Sequence, residues 1–385
     1  MRLGNRNEKT VYGFVAMVYA YLYVRMTSYL DPGVFNGYAI IYASGIIVVY
    51  TGLTLLTIRR VPMDGTVVMA TLFWLMSVIS NVFHDRFSVD LIMNVLTQSW
   101  WYFIYLFFLL LLPTTSQMLQ NKLCQLSTIF FFIYMIRYAV WFFSPTRYWS
   151  SGSVNSVYYG LMLLPFIHIV KRKWVRLVML LLAGVIAIVS GKRAALIVVC
   201  VVAFLPVMFR VSDGSTKRLS SVFIGLLTVI GLYFAISMLS EYIDITIFDR
   251  FASMEEDGGS GRLTTYENVW KAFIESDILS MLFGHGYNGV VRNGVSGSSA
   301  HNDFLEVLYN YGACGFVLYA GFIFSLVTKA KKLYCNNDVL FPAVVAALGT
   351  FLVMSCVSHL IIYPTYIIFL LLIFALSCRT RTVYR

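Results

Sequence analysis

From its first residues the chain repeats one pattern, a long apolar run followed by a short polar break. Such runs lie near residues 11–30, 34–58, 65–83, 93–112, 123–143, 154–170, 174–190, 194–210, 219–239, 304–328, 338–358 and 360–378, twelve in all. A helix needs about 20 mostly apolar residues to cross roughly 30 Å of hydrocarbon. Inside that layer every backbone N–H and C=O must be paired, so only helices or closed barrels span it. The runs are too long and too evenly apolar for barrel strands. The pattern predicts an all-α, polytopic transmembrane bundle that forms a single domain over residues 1–385, and the absence of an internal repeat argues against a solenoid.

The pattern changes abruptly near Ser240. Residues 240–303, between the ninth and tenth runs, form a long polar loop, and eleven of the eighteen acidic residues lie in or near it. Loops of this length are usually functional or disordered. The aromatic residues and helical periodicity of this one argue for order. Asp257-Gly-Gly-Ser-Gly261 reads as a turn, and Thr264-Thr-Tyr-Glu267 matches a capping box that would start a helix. Tyr266, Val269, Trp270, Phe273 and Ile274 then make an apolar stripe opposite Glu267, Lys271 and Glu275. Such a helix either lies on the membrane surface or packs on the rest of the loop. Gly284-His-Gly286 and the Gly/Ser-rich run from Asn293 to Ser299 suit tight turns or close approach of backbone to a ligand.

Composition agrees with the pattern: 59% of residues are hydrophobic and 12% charged, far from the roughly 25% charged of a soluble domain. The net charge of +11 is dispersed over short loops, which argues against a nucleic-acid partner. Nineteen of the 29 Lys and Arg residues fall at the termini or in or beside even-numbered connections, among them Arg59, Arg60, Lys171, Arg172, Lys173, Lys329, Lys331 and Lys332. Positive loops are retained in the cytoplasm, so both termini are expected there and the long loop outside. The first run is full length and lacks a following cleavage site, so it should remain as an anchor. None of the six cysteines lies in the long loop, and the five histidines show no HExxH-type spacing, so neither a disulfide framework nor a metal site is expected.

The richest chemistry lies in Ser299-Ala-His-Asn-Asp-Phe-Leu-Glu306. Asp303 and Glu306 suit the first turn of a helix that re-enters the membrane, which places His301 and Asn302 just before it, at the positive end of the helix dipole. A neutral imidazole there can take a proton from a hydroxyl near pH 7. A structural or surface histidine is the plainer alternative. Ser190-Gly-Lys-Arg193 puts two cations in a very short outward connection, against the charge rule, where they suit a phosphate or pyrophosphate, or a lipid headgroup at the interface. Arg262 and Arg292 add outward cations. Arg25 and Arg137 lie within runs, where pairing with a carboxylate or snorkelling is the ordinary role.

At these residues the sequence resembles the O-antigen polymerase and O-antigen ligase superfamily of bacterial polysaccharide enzymes. His301-Asn302, followed after nine residues by Gly312-x-x-Gly315, matches its His-Asn…Gly-x-x-Gly signature. Ser190-Gly-Lys-Arg193 resembles its basic motif, and Gly261-Arg262 with Trp270 resembles the opening of its periplasmic loop. The resemblance implies an inner-membrane glycosyltransferase using undecaprenyl-diphosphate-linked oligosaccharide, with no cofactor or metal, amid membrane lipids and alongside a chain-length regulator and a flippase. His301 would be the catalytic base, Lys192 and Arg193 would hold the diphosphate, and Arg262 would contact substrate; Asn302, Asp303 and Glu306, beside His301, complete the expected substrate-binding residues. Arg292 joins the substrate-binding set on charge and position alone. Polymerase and ligase share the signature, and the Asp303-Phe-Leu-Glu306 continuation and tyrosine-rich spans look more like polymerases. A lipid-linked glycan flippase is the rival from another class, but carriers usually place carboxylates within spans, whereas here every acidic residue lies in or beside a loop. A structural member of an assembly complex is a third reading.

Overall fold

A computed structural model describes residues 2–34, 64–84, 89–112, 117–209, 261–360 and 364–377, together with Gly45 and Gly52. The expected spans at 34–58 and 219–239 and the first part of the long loop lie outside these residues. Everything described is helix or connection, with no strand among the described residues. The helices are α1 (Arg2–Leu30), α2 (Gly65–His84), α3 (Val89–Leu111), α4 (Gln117–Phe142), α5 (Ser151–Asn155), α6 (Val157–Leu161), α7 (Lys173–Val189), α8 (Arg193–Phe209), α9 (Arg262–Ile274), α10 (Ile278–Phe283), α11 (Gly289–Arg292), α12 (Asp303–Cys335), α13 (Phe341–Val357) and α14 (Pro364–Leu376). Three of the described helices, at Gly65–Phe83, Gln117–Phe142 and Asp303–Cys335, are long and apolar enough to cross a membrane. Arg193–Phe209, Phe341–Val357 and Pro364–Leu376 are shorter apolar helices.

A helix that is apolar all round belongs inside a bundle, and α14 is buried along nearly its whole length. It packs against α3, and its Phe369 meets Tyr19 of α1 and Tyr134 of α4 at ring-centroid distances of 5.5 and 5.8 Å. The hydroxyls in this aromatic core are paired, as an apolar interior requires. Tyr134 donates to the Tyr19 carbonyl at 2.6 Å, and the Tyr19 and Ser127 hydroxyls lie 2.9 Å apart. Small residues let other helices approach closely. A Cβ at Gly349 of α13 would come within 2.6 Å of Leu205 and Val201 of α8.

The run at 154–170 is not one continuous span. It breaks into α5, α6 and a 3₁₀ turn at Leu164–His168. Pro165 at the start of that turn has no N–H to give and disfavours helical geometry at the residue before it. The pieces are shielded by α4, α8 and α13, which pack around them, and Val157 through Ile167 are buried throughout.

The second departure from a plain bundle is inside α12. Gly312 has φ 69° and ψ −175°, so the 33-residue element is two helices meeting at a break. Two of the carbonyls near the break are taken up by the loop: His285 N donates to Tyr309 O at 3.0 Å, and Gly286 N to Asn310 O at 2.8 Å. Ser80 of α2 donates to the same Asn310 carbonyl at 2.7 Å. The contact is backbone on backbone. A Cβ at Gly284 would stand 2.3 Å from the Asn310 carbonyl carbon, and one at Gly312 would stand 2.3 Å from that of Leu282. The Gly284-His-Gly286 glycines thus serve a close approach, and what approaches is the chain itself.

Around this joint the loop builds a small core of Val269, Phe273, Val290, Ala300 and Tyr309. The His285 ring stacks on Tyr309 at 4.3 Å, and its Nε2 is 2.9 Å from Ser276 Oγ. The expected capping box at Thr264 is replaced by an earlier start. Gly261, in the left-handed region at φ 74°, precedes a helix that begins at Arg262, so Thr264 and Thr265 already lie inside it. Of the predicted stripe, Val269 and Phe273 pack on the loop, while Trp270 and Ile274 are exposed.

Gly284→Ala should be markedly more destabilising than Gly294→Ala. Both glycines have positive φ, 77° and 67°, but only Gly284 has backbone in the way of a Cβ. Gly294→Ala should cost about 1–2 kcal/mol of backbone strain, and Gly284→Ala about 1–3 kcal/mol more for overpacking. Thermal unfolding in detergent reads the difference, and equal midpoints would refute the joint.

Candidate functional site

The break at Gly312 sets the position of the first part of α12, and the N-terminus of that helix carries the site. Asn302 is its cap, with Oδ1 accepting from Phe304 N at 3.0 Å and Leu305 N at 3.3 Å. His301, immediately before, has φ 51°. A non-glycine residue in this region is uncommon and costs energy, so its surroundings must hold it there. On one side Glu306 Oε1 accepts from Ala300 N at 2.5 Å. On the other, Glu306 N donates to Asn302 O at 2.9 Å.

Asp303 and Glu306, expected to touch substrate, have their side chains turned inward. Both are completely buried. Besides Ala300 N, Glu306 accepts from Asn310 Nδ2 at 3.1 Å. Asp303 Oδ1 accepts from Leu360 N at 2.8 Å, tying the connection between α13 and α14 to the start of α12. Buried carboxylates are stable only with such partners.

That tie brings in a residue the sequence reading passed over. The His301 and His359 rings lie 4.8 Å apart, inclined by 34°, and His359 is only 7% exposed. Its Nδ1 is hydrogen bonded to Ser299 Oγ at 3.1 Å. The order of the spans held the signal, since the connection between the eleventh and twelfth was expected on the same face as His301.

Two of the predicted cations reach this pair electrostatically. Half-burial of His301, then the charges of Arg262 and Lys192, push its pKa below the ordinary imidazole value. His359 is pushed down to about 3, by burial first, then by His301, Arg262 and Lys192. Lys192 follows Gly191, which has φ 62°, in a turn where Lys192 N donates to Ser190 Oγ at 3.3 Å and Ser190 Oγ donates to Ala187 O at 2.8 Å. Arg193 begins α8 beside it, and both side chains are half-buried. Next to Lys192 lies a cavity of about 320 Å³.

The other arginines have structural work. The Arg292 guanidinium donates to the His285 carbonyl and steadies the turn after Gly284. Arg137 forms an ion pair with Asp31, and Arg25 lies over the Tyr29 ring at 5.2 Å. The arrangement near His301 therefore combines a neutral imidazole, a helix N-terminus and cations from two separate elements. Chemically it can accept a proton and stabilise an anion.

Residues 177–320 match the model of a family described as O-antigen ligase. The match runs from within α7 to within α12, so it includes Lys192, Arg193, Arg262 and His301. It covers less than half of the chain and supports the likeness to the superfamily of O-antigen polymerases and ligases. No curated protein matches the chain.

Because both imidazoles hold protons less well in the fold than an ordinary histidine, the unfolded chain takes up protons first as pH falls. The stability they contribute is complete above about pH 6.5 and is lost as pH falls from there towards the lower folded-state values. His359→Asn should therefore flatten the fall in thermal midpoint between about pH 7.5 and about pH 5. Parallel curves for the two proteins would contradict this.

Proposed function

We propose that this protein is a polysaccharide polymerase that joins undecaprenyl-diphosphate-linked repeat units at the outer face of the bacterial cytoplasmic membrane. The observation that carries the reading is the placement of His301, held at positive φ just before the N-terminus of α12, half-buried and near enough to Arg262 and Lys192 for their charges to lower its pKa, inside the family-matched segment. In the reaction His301 takes the proton of the acceptor hydroxyl while the hydroxyl oxygen bonds to the anomeric carbon of the donor glycan. The bond from that carbon to the diphosphate breaks, with inversion. Lys192, Arg193 and Arg262 stabilise the negative charge that develops on the departing lipid diphosphate, and guanidinium suits phosphate because it binds in bidentate fashion. Asn302, Asp303 and Glu306 hold His301 in position from behind. No metal or cofactor takes part in this scheme.

The reading includes twelve spans in one domain, both termini in the cytoplasm and residues 240–303 outside. Contacts that follow the expected sides support it. His301 meets His359 at connections expected outside, and Asp31, in another such connection, pairs with Arg137 in the outward half of its run. Lys329 pairs with Asp64 at 2.7 Å between connections expected inside. A chain-length regulator and a flippase are the partners such an enzyme requires. The family's description as O-antigen ligase favours a second reading, transfer of the finished glycan to a lipid A-core acceptor.

Purified protein supplied with the lipid-diphosphate repeat unit alone should build a ladder of products, and His301→Ala should abolish it while leaving the protein folded. Product formation only after a lipid A-core acceptor is added identifies the ligase, and a normal ladder from His301→Ala defeats the mechanism. Lys192→Ala and Arg262→Ala should each slow turnover on the order of 100-fold. Reporter fusions near Gly258 should lie outside, and a cytoplasmic result would overturn the topology.

A further inference from the structure

We infer that the cavity beside Lys192 is a glycan subsite, which takes the sugar carried on the diphosphate and reads it through Trp149. This inference rests on the proposed use of a diphosphate-linked glycan and adds where the sugar sits. The cavity, of about 320 Å³, is lined by Trp149, Ser150, Ser151, Val154, Val189, Ser190 and Lys192. That volume is at the small end of ligand sites and suits one or two sugar rings. Its lining is amphipathic in the way a pyranose is, since a sugar ring has hydroxyls around its edge and C–H bonds across its faces. The positively polarised C–H hydrogens rest well on the electron-rich face of an indole.

Trp149 is held in place before any ligand arrives. The Arg147 guanidinium lies over its ring at 4.6 Å and over Phe142 at 5.0 Å, and Arg147 Nη1 donates to Phe142 O at 2.5 Å. Trp141 and Phe142 meet the indole edge-on at 5.6 and 6.1 Å. Even so the side chain is 47% exposed. A rigid aromatic that is already positioned loses little conformational freedom on binding.

The serines divide the remaining work. Ser150 and Ser153 form a reciprocal cap at the start of α5, with Ser153 N donating to Ser150 Oγ at 3.0 Å and Ser150 N to Ser153 Oγ at 2.8 Å. Ser190 fixes the turn that presents Lys192. Both are thereby wall. Ser151 is exposed at the first position of α5 and supplies a hydroxyl for the sugar edge. Gly152 packs against Tyr29, where a Cβ would come within 2.8 Å of the ring, so the wall cannot drift outward freely. Lys192 closes the argument, because it lines the cavity and its charge also reaches His301 and His359. A diphosphate held by Lys192 places its attached sugar against Trp149.

The test is binding to protein in lipid nanodiscs, with two probes: the lipid-diphosphate repeat unit and undecaprenyl diphosphate without glycan. Trp149→Ala should weaken binding of the glycan-bearing lipid about tenfold, the size of one lost stacking contact, and leave binding of the bare diphosphate within about twofold. Trp149→Phe should restore part of the loss, and Ser151→Leu, which fills the cavity, should reproduce it. Lys192→Ala should weaken both probes. Equal losses for both probes in Trp149→Ala, or no loss for either, would overturn the subsite. Bare-diphosphate binding also serves as the check that the Trp149 and Ser151 variants are folded, and thermal unfolding serves for Lys192→Ala. The assay involves no turnover, so it gives its answer whether or not wild-type protein builds a ladder.

Discussion

A helix in an apolar surround cannot leave backbone carbonyls unanswered, and α12 is interrupted at Gly312. The site depends on how that interruption is resolved. The amides of His285 and Gly286 and the hydroxyl of Ser80 turn to the carbonyls of Tyr309 and Asn310, which fastens the loop to both α12 and α2. Asn81 reinforces the fastening, accepting from Tyr287 N at 2.7 Å while its own amide donates to Gln98 at 2.7 Å. With the loop fixed there, Ala300 reaches Glu306 and the cap at Asn302 forms. The first glycine of the His-Asn…Gly-x-x-Gly pattern, Gly312, thus has a mechanical reason for lying downstream of the histidine.

The all-helical character of the described residues was legible because long uncharged apolar runs favour helix and burial together. The run read at 174–190 became α7 with its boundaries shifted by a residue, and the run from 194 became α8, which starts one residue earlier. The run at 154–170 was read as a span for the same reason and broke, since hydropathy is blind to Pro165 and to the shielding helices that allow a broken segment to stay buried. Polarity misled in the opposite direction at Asp303 and Glu306. The two carboxylates were read as the first turn of a helix facing substrate, yet they are buried against backbone amides that only the fold brings to them.

The histidines show the same limit. His301 stood out through its neighbours in sequence, whereas His359 has no local signature and matters because Asp303 holds Leu360. The cations divide likewise. Lys192 and Arg262 come together electrostatically at the imidazoles, while Arg292 is committed to a carbonyl of its own loop. Charge count alone could not separate these roles, because a guanidinium serves a phosphate and a peptide carbonyl with the same donors.

The positive φ of His301 has a consequence for how the protein matures. The residue is pinned through Ala300 on the loop side, through Asn302 and Glu306 on α12, and through a neighbouring ring carried by the connection between α13 and α14. The first two belong to the same short stretch of chain as His301, whereas the third follows two helices later and is made and inserted after them. A half-assembled intermediate therefore has no imidazole in its working pose, and whatever reactivity the histidine possesses is withheld until the last helices have docked.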